Sequence, residues 1–486
     1  MSVDPLQYLS PDMVLALLGG IYLLMSVAAG VHVVLNKQNE ASAVSWLGII
    51  VLAPLVGPVL YWLFGINRIR RRAVAELSEH SIADDNSHEQ RVDLANPQTP
   101  THWQRLMRLG LGIHDSPYVV GNSVEALING DEAYPQMLQA IDVARQSVVL
   151  SSYIFEHDAA GVQFVDALIA AHDRGVQVRV LIDGIGVAYG FSTLRSDMVL
   201  RRRGVKTARF LSAFSKSGTR FINLRNHRKI LVVDGDVAFI GGMNIRLGNL
   251  LHKASQGPVK DHTQDVHFKV RGPVINQINA VFEADWQFAA HESLALPGWR
   301  NEERSGELVS RVLVDGPDDN YQKLQLTMLG AIQAAKNRIQ IVSPYFLPGP
   351  LLFSALQLAS LRGVHVDICI PAKSNLPFIG WAMKANQQRL LQQGVRLYES
   401  NAPFDHSKLF LVDDYWSMIG SSNWDARSLE LNFEINLECY GESLNLSLSD
   451  IITSKLKSAR KIHECAEQDI LRRLRNNFFR MFSPYL

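Results

Sequence analysis

Cysteine is scarce in this chain. Cys369, Cys439 and Cys465 are the only three in 486 residues, and no two stand in a CxxC spacing. That excludes a disulfide framework and a cysteine-built zinc site. An excess of either charge is also lacking: 48 Lys and Arg face 47 Asp and Glu, for a net charge of +1. No global field steers such a chain toward nucleic acid, so any anion must be met by local groups. Two stretches lack charged side chains altogether. Residues 13–35 hold one histidine, His32, and residues 43–64 hold none. The first stretch also lacks the basic opening of a signal peptide, since the chain begins Ser2-Val3-Asp4-Pro5.

Each charge-free run meets the roughly 20 residues needed to cross a bilayer, which predicts two transmembrane helices within residues 1–66, at about 13–35 and 43–64. Trp46 at one end of the second run and Tyr61 and Trp62 at the other are suited to the headgroup level, with Pro54, Gly57 and Pro58 as a kink. The connector contains one cation, Lys37, whereas Arg68, Arg70, Arg71 and Arg72 follow the second run. By the positive-inside rule, everything after residue 67 is expected in the cytoplasm, with both helices spanning and the N-terminus also inside. Residues 67–117 read as a polar linker with one helix around 103–109.

Beyond the linker the chain repeats itself. Ala140-Ile-Asp-Val-Ala-Arg-Gln-Ser-Val-Val-Leu-Ser-Ser-Tyr-Ile-Phe155 returns as Ala331-Ile-Gln-Ala-Ala-Lys-Asn-Arg-Ile-Gln-Ile-Val-Ser-Pro-Tyr-Phe346. Arg174-Gly175-Val176 returns as Arg362-Gly363-Val364, and Arg203-Gly204-Val205 as Gln393-Gly394-Val395. Glycine closing a helix before an alternating run is a helix-to-strand junction. Strand–helix–strand order, given twice, predicts an α/β fold of two pseudo-twofold-related domains, at 118–298 and 299–446. Residues 447–486 are expected to form a helical tail, basic and amphipathic toward its end.

Each copy closes on one pattern. His227-Arg-Lys229-Ile-Leu-Val-Val-Asp234 is followed by Gly241-Gly242-Met243-Asn244, and His406-Ser-Lys408-Leu-Phe-Leu-Val-Asp413 by Gly420-Ser421-Ser422-Asn423. Histidine and lysine two apart on a strand share a face, so both can meet one ligand. Two in-register copies of HxKxxxxD, with equal spacing to Gly and Asn, are far beyond chance.

Histidine can serve as a nucleophile or a proton donor, and lysine and asparagine can meet anionic oxygens. Two histidines, two lysines and two asparagines cover those roles. Such histidines need an orienting carboxylate. Glu434 stands eleven residues after Asn423, and the matching acid of the first copy is Asp265, 21 residues after Asn244. The longer loop of the first copy, about 246–260, and Gly242 opposite Ser421 are the departures between copies. Asp234 and Asp413 suit catalysis and structural pairing equally.

These residues resemble the paired HKD motifs of the phospholipase D superfamily. The apolar hairpin, the arginine run, Asn226-His227-Arg228-Lys229 and Asn432-Phe433-Glu434 make the whole chain similar to bacterial cardiolipin synthases. The resemblance implies two phospholipase D-like α/β/α sandwich domains with one active site between them. It implies His227 as nucleophile and His406 as general acid, although the residues alone permit the reverse. It also implies a phosphatidyl-histidine intermediate, no metal and no cofactor. Phosphatidylglycerol and cardiolipin are the implied lipids, and a multi-pass position in the bacterial inner membrane follows, with no nucleic acid partner. Hydrolysis, another acceptor such as serine, and a nuclease activity are the competing readings.

Overall fold

The computed structural model describes residues 11–37, 40–53, 55–62, 100–184, 186, 195–210, 225–252, 262–299, 301–317, 320, 322–463 and 469–483. The arginine run at 68–72, the linker to residue 99, most of the expected 246–260 loop and Cys465 lie outside them. Two units form, residues 1–73 and 74–486.

In the N-terminal unit the helix Pro11–Asn36 contains a stretch, Gly19–Asn36, long and apolar enough to cross a membrane. The second run, expected at 43–64 as a kinked span, is broken at the expected kink. Its helix, Glu40–Leu52, has 13 residues, or about 20 Å of rise against a hydrocarbon core of about 30 Å. A short helix, Gly57–Leu60, follows. Tyr61 then lies 5.4 Å from the Trp46 ring and its hydroxyl 2.8 Å from His32 Nδ1, where fifteen residues of straight helix would separate Tyr61 and Trp46 by about 22 Å. The chain doubles back because Gly57 packs against the backbone of Ile49 and Ile50, so closely that a Cβ there would stand 2.4 Å from the Ile49 carbonyl oxygen. Ala29, Val33, Trp46, Ile50 and Tyr61 form the resulting small core.

The second unit is built on one 15-stranded sheet. In the first half Ser147–Ser152, Gln177–Asp183 and Lys206–Phe210 run parallel, joined by helices as β-α-β order requires. Ile230–Val233, Val237–Gly241, Val266–Arg271 and Val119–Ile128 continue the sheet antiparallel. The second half repeats this order. Arg338–Val342, His365–Pro371 and Arg396–Ser400 are parallel, and Leu409–Val412, Trp416–Gly420, Glu434–Tyr440 and Leu308–Asp315 antiparallel. Val119–Ile128 pairs with Leu308–Asp315, so the two halves share a continuous sheet and meet at its middle. Each half has its own apolar core.

Two expected boundaries shift. The helix Thr101–Ile113, placed in the linker by its polar surroundings, buries Trp103, Leu106 and Met107 in the core of the second half. Such aromatic and aliphatic burial is worth about 1.5–3 kcal/mol per side chain, which ties residues 101–113 to the folded unit. At the other end the helix Glu442–Ser458 runs through residue 446 and buries Leu444, Leu448 and Ile452, and Arg460–Ile462 adds an edge strand. The tail proper therefore begins after that strand.

Candidate active site

Both histidines stand just before a buried, four-residue strand, His227 ahead of Ile230–Val233 and His406 ahead of Leu409–Val412. They meet at the junction of the halves, with ring centres 6.5 Å apart. Their supports cross over. His227 Nδ1 lies 3.0 Å from Glu434 Oε2 of the second half, and His406 Nδ1 lies 2.9 Å from Asp265 Oδ2 of the first. The backbone crosses in the same way. The His227 amide donates to the Phe433 carbonyl at 2.9 Å, and the His406 amide to the Gln264 carbonyl at 2.7 Å. Each histidine is thus held twice by a dipeptide of the opposite half, Phe433-Glu434 or Gln264-Asp265.

A carboxylate at Nδ1 holds the proton there and leaves the Nε2 lone pair free, which is the tautomer a nucleophile needs. Glu434 is completely buried and fully used: Oε2 also accepts from Ser421 Oγ at 2.5 Å, and Oε1 from Ser428 Oγ at 2.8 Å and Asn432 Nδ2 at 3.2 Å. Asp265 Oδ1 accepts from the Val266 amide at 2.8 Å. The difference between Gly242 and Ser421 follows from these acids. A Cβ on Gly242 would stand 2.8 Å from Asp265 Oδ2 and 3.0 Å from Lys408 Nζ. Aspartate is one methylene shorter than glutamate, so its carboxylate stays close to this backbone, and only glycine leaves the space.

The lysines complete a dense cationic centre. Lys229 Nζ donates to the His227 carbonyl at 2.6 Å and lies 5.3 Å from the Tyr153 ring centre. Lys408 Nζ lies 2.5 Å from the His406 carbonyl oxygen and 3.0 Å from its Nδ1. Burial pushes Lys229 down to about 7 and Lys408 down to about 8, against the pull of Glu434 on the first and of Asp265 on the second. Burial, aided by Lys408, likewise pushes His406 down to about 4, and burial lowers His227 against the pull of Glu434. Four basic groups in one small space favour their neutral forms, and a bound anion would reverse that bias.

Asn244 and Asn423 sit beyond the glycine pairs. Asn244 Oδ1 accepts from the Ile154 amide at 3.1 Å, and Asn423 Nδ2 lies 3.2 Å from Ser428 Oγ. Asp234 and Asp413 are not brought to the site. They stand at the far ends of the strands, five residues or roughly 16 Å past the lysines. Both have positive φ, 52° and 51°, a conformation aspartate tolerates better than most residues. Asp234 accepts from the amides of Arg145, Gln146 and Ser147 at 2.7–2.9 Å, and Asp413 from those of Lys336, Asn337 and Arg338 over the same range. Hydrogen bonds to a charged group contribute about 1.5–3 kcal/mol each, so the final Asp of each motif anchors a turn rather than touching the reacting centre.

Sequence reasoning missed several supports. Ser428 and Asn432 hold Glu434, and Asn129 Oδ1 accepts the Asp265 amide at 3.0 Å. Asp183 accepts the Asn226 amide at 2.8 Å, and Asp285 pairs with the buried Arg228 and with Asn226 Nδ2. Only Asn226-His227-Arg228-Lys229 and Asn432-Phe433-Glu434 were visible as motifs, whereas Asp183, Asp285 and Asn129 stand 43, 59 and 136 residues from the groups they hold.

A family model described as "Cardiolipin synthase, PLD-like domain" matches residues 137–286 and 328–457, and one described as "Phospholipase_D-nuclease N-terminal" matches residues 24–65. A cardiolipin synthase of Alkalihalophilus pseudofirmus is 31% identical over 96% of this chain and 93% of its own length. Cardiolipin synthase 1 of Bacillus anthracis is 29% identical over 93% and 90%. Among solved structures, the phosphatidylserine synthase of Haemophilus influenzae aligns with a TM-score of 0.60 over 79% of this chain and 100% of its own. At 15% identity that likeness concerns the fold. With two crossed histidine–carboxylate pairs on a duplicated α/β sheet, and with relatives matching over nearly its full length, this chain belongs to the cardiolipin synthase family of phospholipase D-like enzymes.

Proposed function

We propose that this enzyme joins two phosphatidylglycerol molecules into cardiolipin and glycerol through a phosphatidyl group carried on His227. The observation that carries the reading is the facing pair of imidazoles, 6.5 Å between centres, each held at Nδ1 by a carboxylate. Two imidazoles this close can both reach one phosphate, one attacking phosphorus while the other serves the leaving oxygen. His227 Nε2 forms a bond to phosphorus while the bond to the first glycerol oxygen breaks, and protonated His406 gives that oxygen its proton. Glycerol leaves. The hydroxyl of the second lipid then loses its proton to His406, its oxygen bonds to phosphorus, and the phosphorus–nitrogen bond breaks. Lys229 and Lys408 offset the charge on the non-bridging oxygens. Binding the anionic phosphate raises the depressed histidine and lysine affinities for protons, so His406 becomes an acid when substrate is present.

Purified enzyme with labelled phosphatidylglycerol is expected to yield cardiolipin and glycerol. Phosphatidic acid as the main product would favour hydrolysis instead. Substrate made chiral at phosphorus separates the routes. Two in-line steps retain configuration, whereas inversion would mean direct attack of one lipid on the other.

The enzyme's place is proposed as the bacterial inner membrane, with the catalytic unit in the cytoplasm because the arginine run at 68–72 follows the apolar segments. The helix Pro11–Asn36 is the spanning element, and the second run is re-entrant. Tyr61 beside His32 supports this, since it returns the chain to the end where the first helix stops. The N-terminus is then on the opposite side from the catalytic unit, contrary to the hairpin of two full spans. A membrane-impermeant thiol reagent should label a cysteine placed at Ser2 in intact cells and miss one placed after Leu486. Protection at both ends would restore the two-span hairpin.

A further inference from the structure

The helix Ile470–Met481 carries four arginines, Arg472, Arg473, Arg475 and Arg480, and no carboxylate, in a chain of net charge +1. Its packing uses the side that holds Arg475, Asn476 and Phe479. Phe479 lies 5.0 Å from the Trp381 ring of the helix Pro377–Leu391, the Arg475 guanidinium sits 4.5 Å above the same ring, and Asn476 is buried. At about 100° per residue these three share one side of the helix. The remaining apolar residues share another. Ile470, Leu471, Leu474, Phe478, Met481 and Phe482 span an arc of about 120°, and their exposures are 70, 73, 62, 55, 72 and 43%. A helix that completed the hydrophobic core would be turned the other way, with this stripe inside. Arg475 borders the stripe on one side, and Arg473 and Arg480 stand beyond its other edge.

We infer that this helix lies flat in the headgroup layer of an anionic phospholipid surface. The apolar stripe enters the acyl boundary, and the arginines reach the phosphates on either side. A continuous exposed stripe of large apolar side chains marks a docking surface, and cations flanking it select an anionic, water-facing layer over a neutral one. The docking to Trp381 fixes which face of the helix is offered, so the surface is set by the fold and does not require the helix to detach. It orients the second half of the catalytic unit on the bilayer independently of the N-terminal helix.

The test uses the full-length protein with Cys465→Ser, since Cys369 and Cys439 are buried. Spin labels are placed singly at Leu474→Cys, Phe478→Cys and, as a reference in the first half, Asp173→Cys. The protein is reconstituted in vesicles of phosphatidylcholine with or without phosphatidylserine. In the anionic vesicles the ratio of collisions with oxygen to collisions with a water-soluble nickel chelate should rise at 474 and 478 and keep its aqueous value at 173. Free access of the nickel chelate to 474 and 478 would overturn the inference. Equal immersion in phosphatidylcholine alone would overturn the recognition of anionic lipid. Spin–spin broadening at 474 or 478 would mean that a second copy of the chain covers the stripe, and would also overturn it.

Discussion

Replacing His227 or His406 by alanine is expected to lower turnover by more than about a thousandfold in each case, because one loses the atom that bonds to phosphorus and the other the proton for the departing glycerol. Combining the two should cost little beyond either alone, since residues acting as one unit are not additive. The measurement is cardiolipin formation from labelled phosphatidylglycerol by purified protein. Activity within tenfold of wild type in either single variant would end the two-histidine mechanism. His157 and His365, outside the motifs, serve as comparison: alanine at either should change turnover little. The two active-site variants differ in what they accumulate. With His227 intact and His406 absent, a labelled phosphatidyl group can form slowly and stay on the protein, whereas His227→Ala has no place to carry it.

Glu434→Gln is expected to cost on the order of 10³–10⁴ in turnover, because an amide can donate to Nδ1 and place the ring proton on Nε2, the atom that must attack. Asp265→Asn should cost a comparable factor for a different reason. Asp265 is a raising influence on His406, whose proton affinity burial and Lys408 have already pushed down to about 4. Without that charge the acid is harder still to protonate. The crossed geometry makes the prediction specific. Ring-nitrogen chemical shifts of labelled histidine should show Glu434→Gln changing the tautomer of His227 and leaving His406 as it was, with the opposite result for Asp265→Asn. A response of each histidine to the acid of its own half would contradict the crossing.

The duplicated catalytic pattern was legible because it is local. His227 and Lys229, or His406 and Lys408, are two residues apart, in the segment that leads into a buried strand. The repeat of helix, glycine and strand was legible for the same reason, and so was the α/β order that follows from it. Glu434 and Asp265 could be picked out as carboxylates, but the histidine that each holds could not. That assignment depends on how two halves pack, through the parallel pairing of Phe404–Asp405 with Thr263–Gln264 and the bridge between Asn226 and Phe433. No spacing along the chain encodes it.

Burial decided other points. The helix Thr101–Ile113 is surrounded by polar sequence, yet its Trp103, Leu106 and Met107 fill a core built by residues more than 200 positions later. Asp234 and Asp413 belong to the motif by spacing, but the same spacing carries them down a strand and away from the histidines, to turns whose three amides need an acceptor. In the N-terminal unit composition identified an apolar run at 43–64, but composition is blind to Gly57 meeting the backbone of Ile49, which turns the chain back. Hydrophobicity and local spacing are properties of the sequence by itself, and they determined the class of chemistry, the duplication and the apolar N-terminus. Which carboxylate serves which histidine, which aspartates leave the site and which helix face remains exposed are set by contacts between distant segments, and only the packed structure decides those.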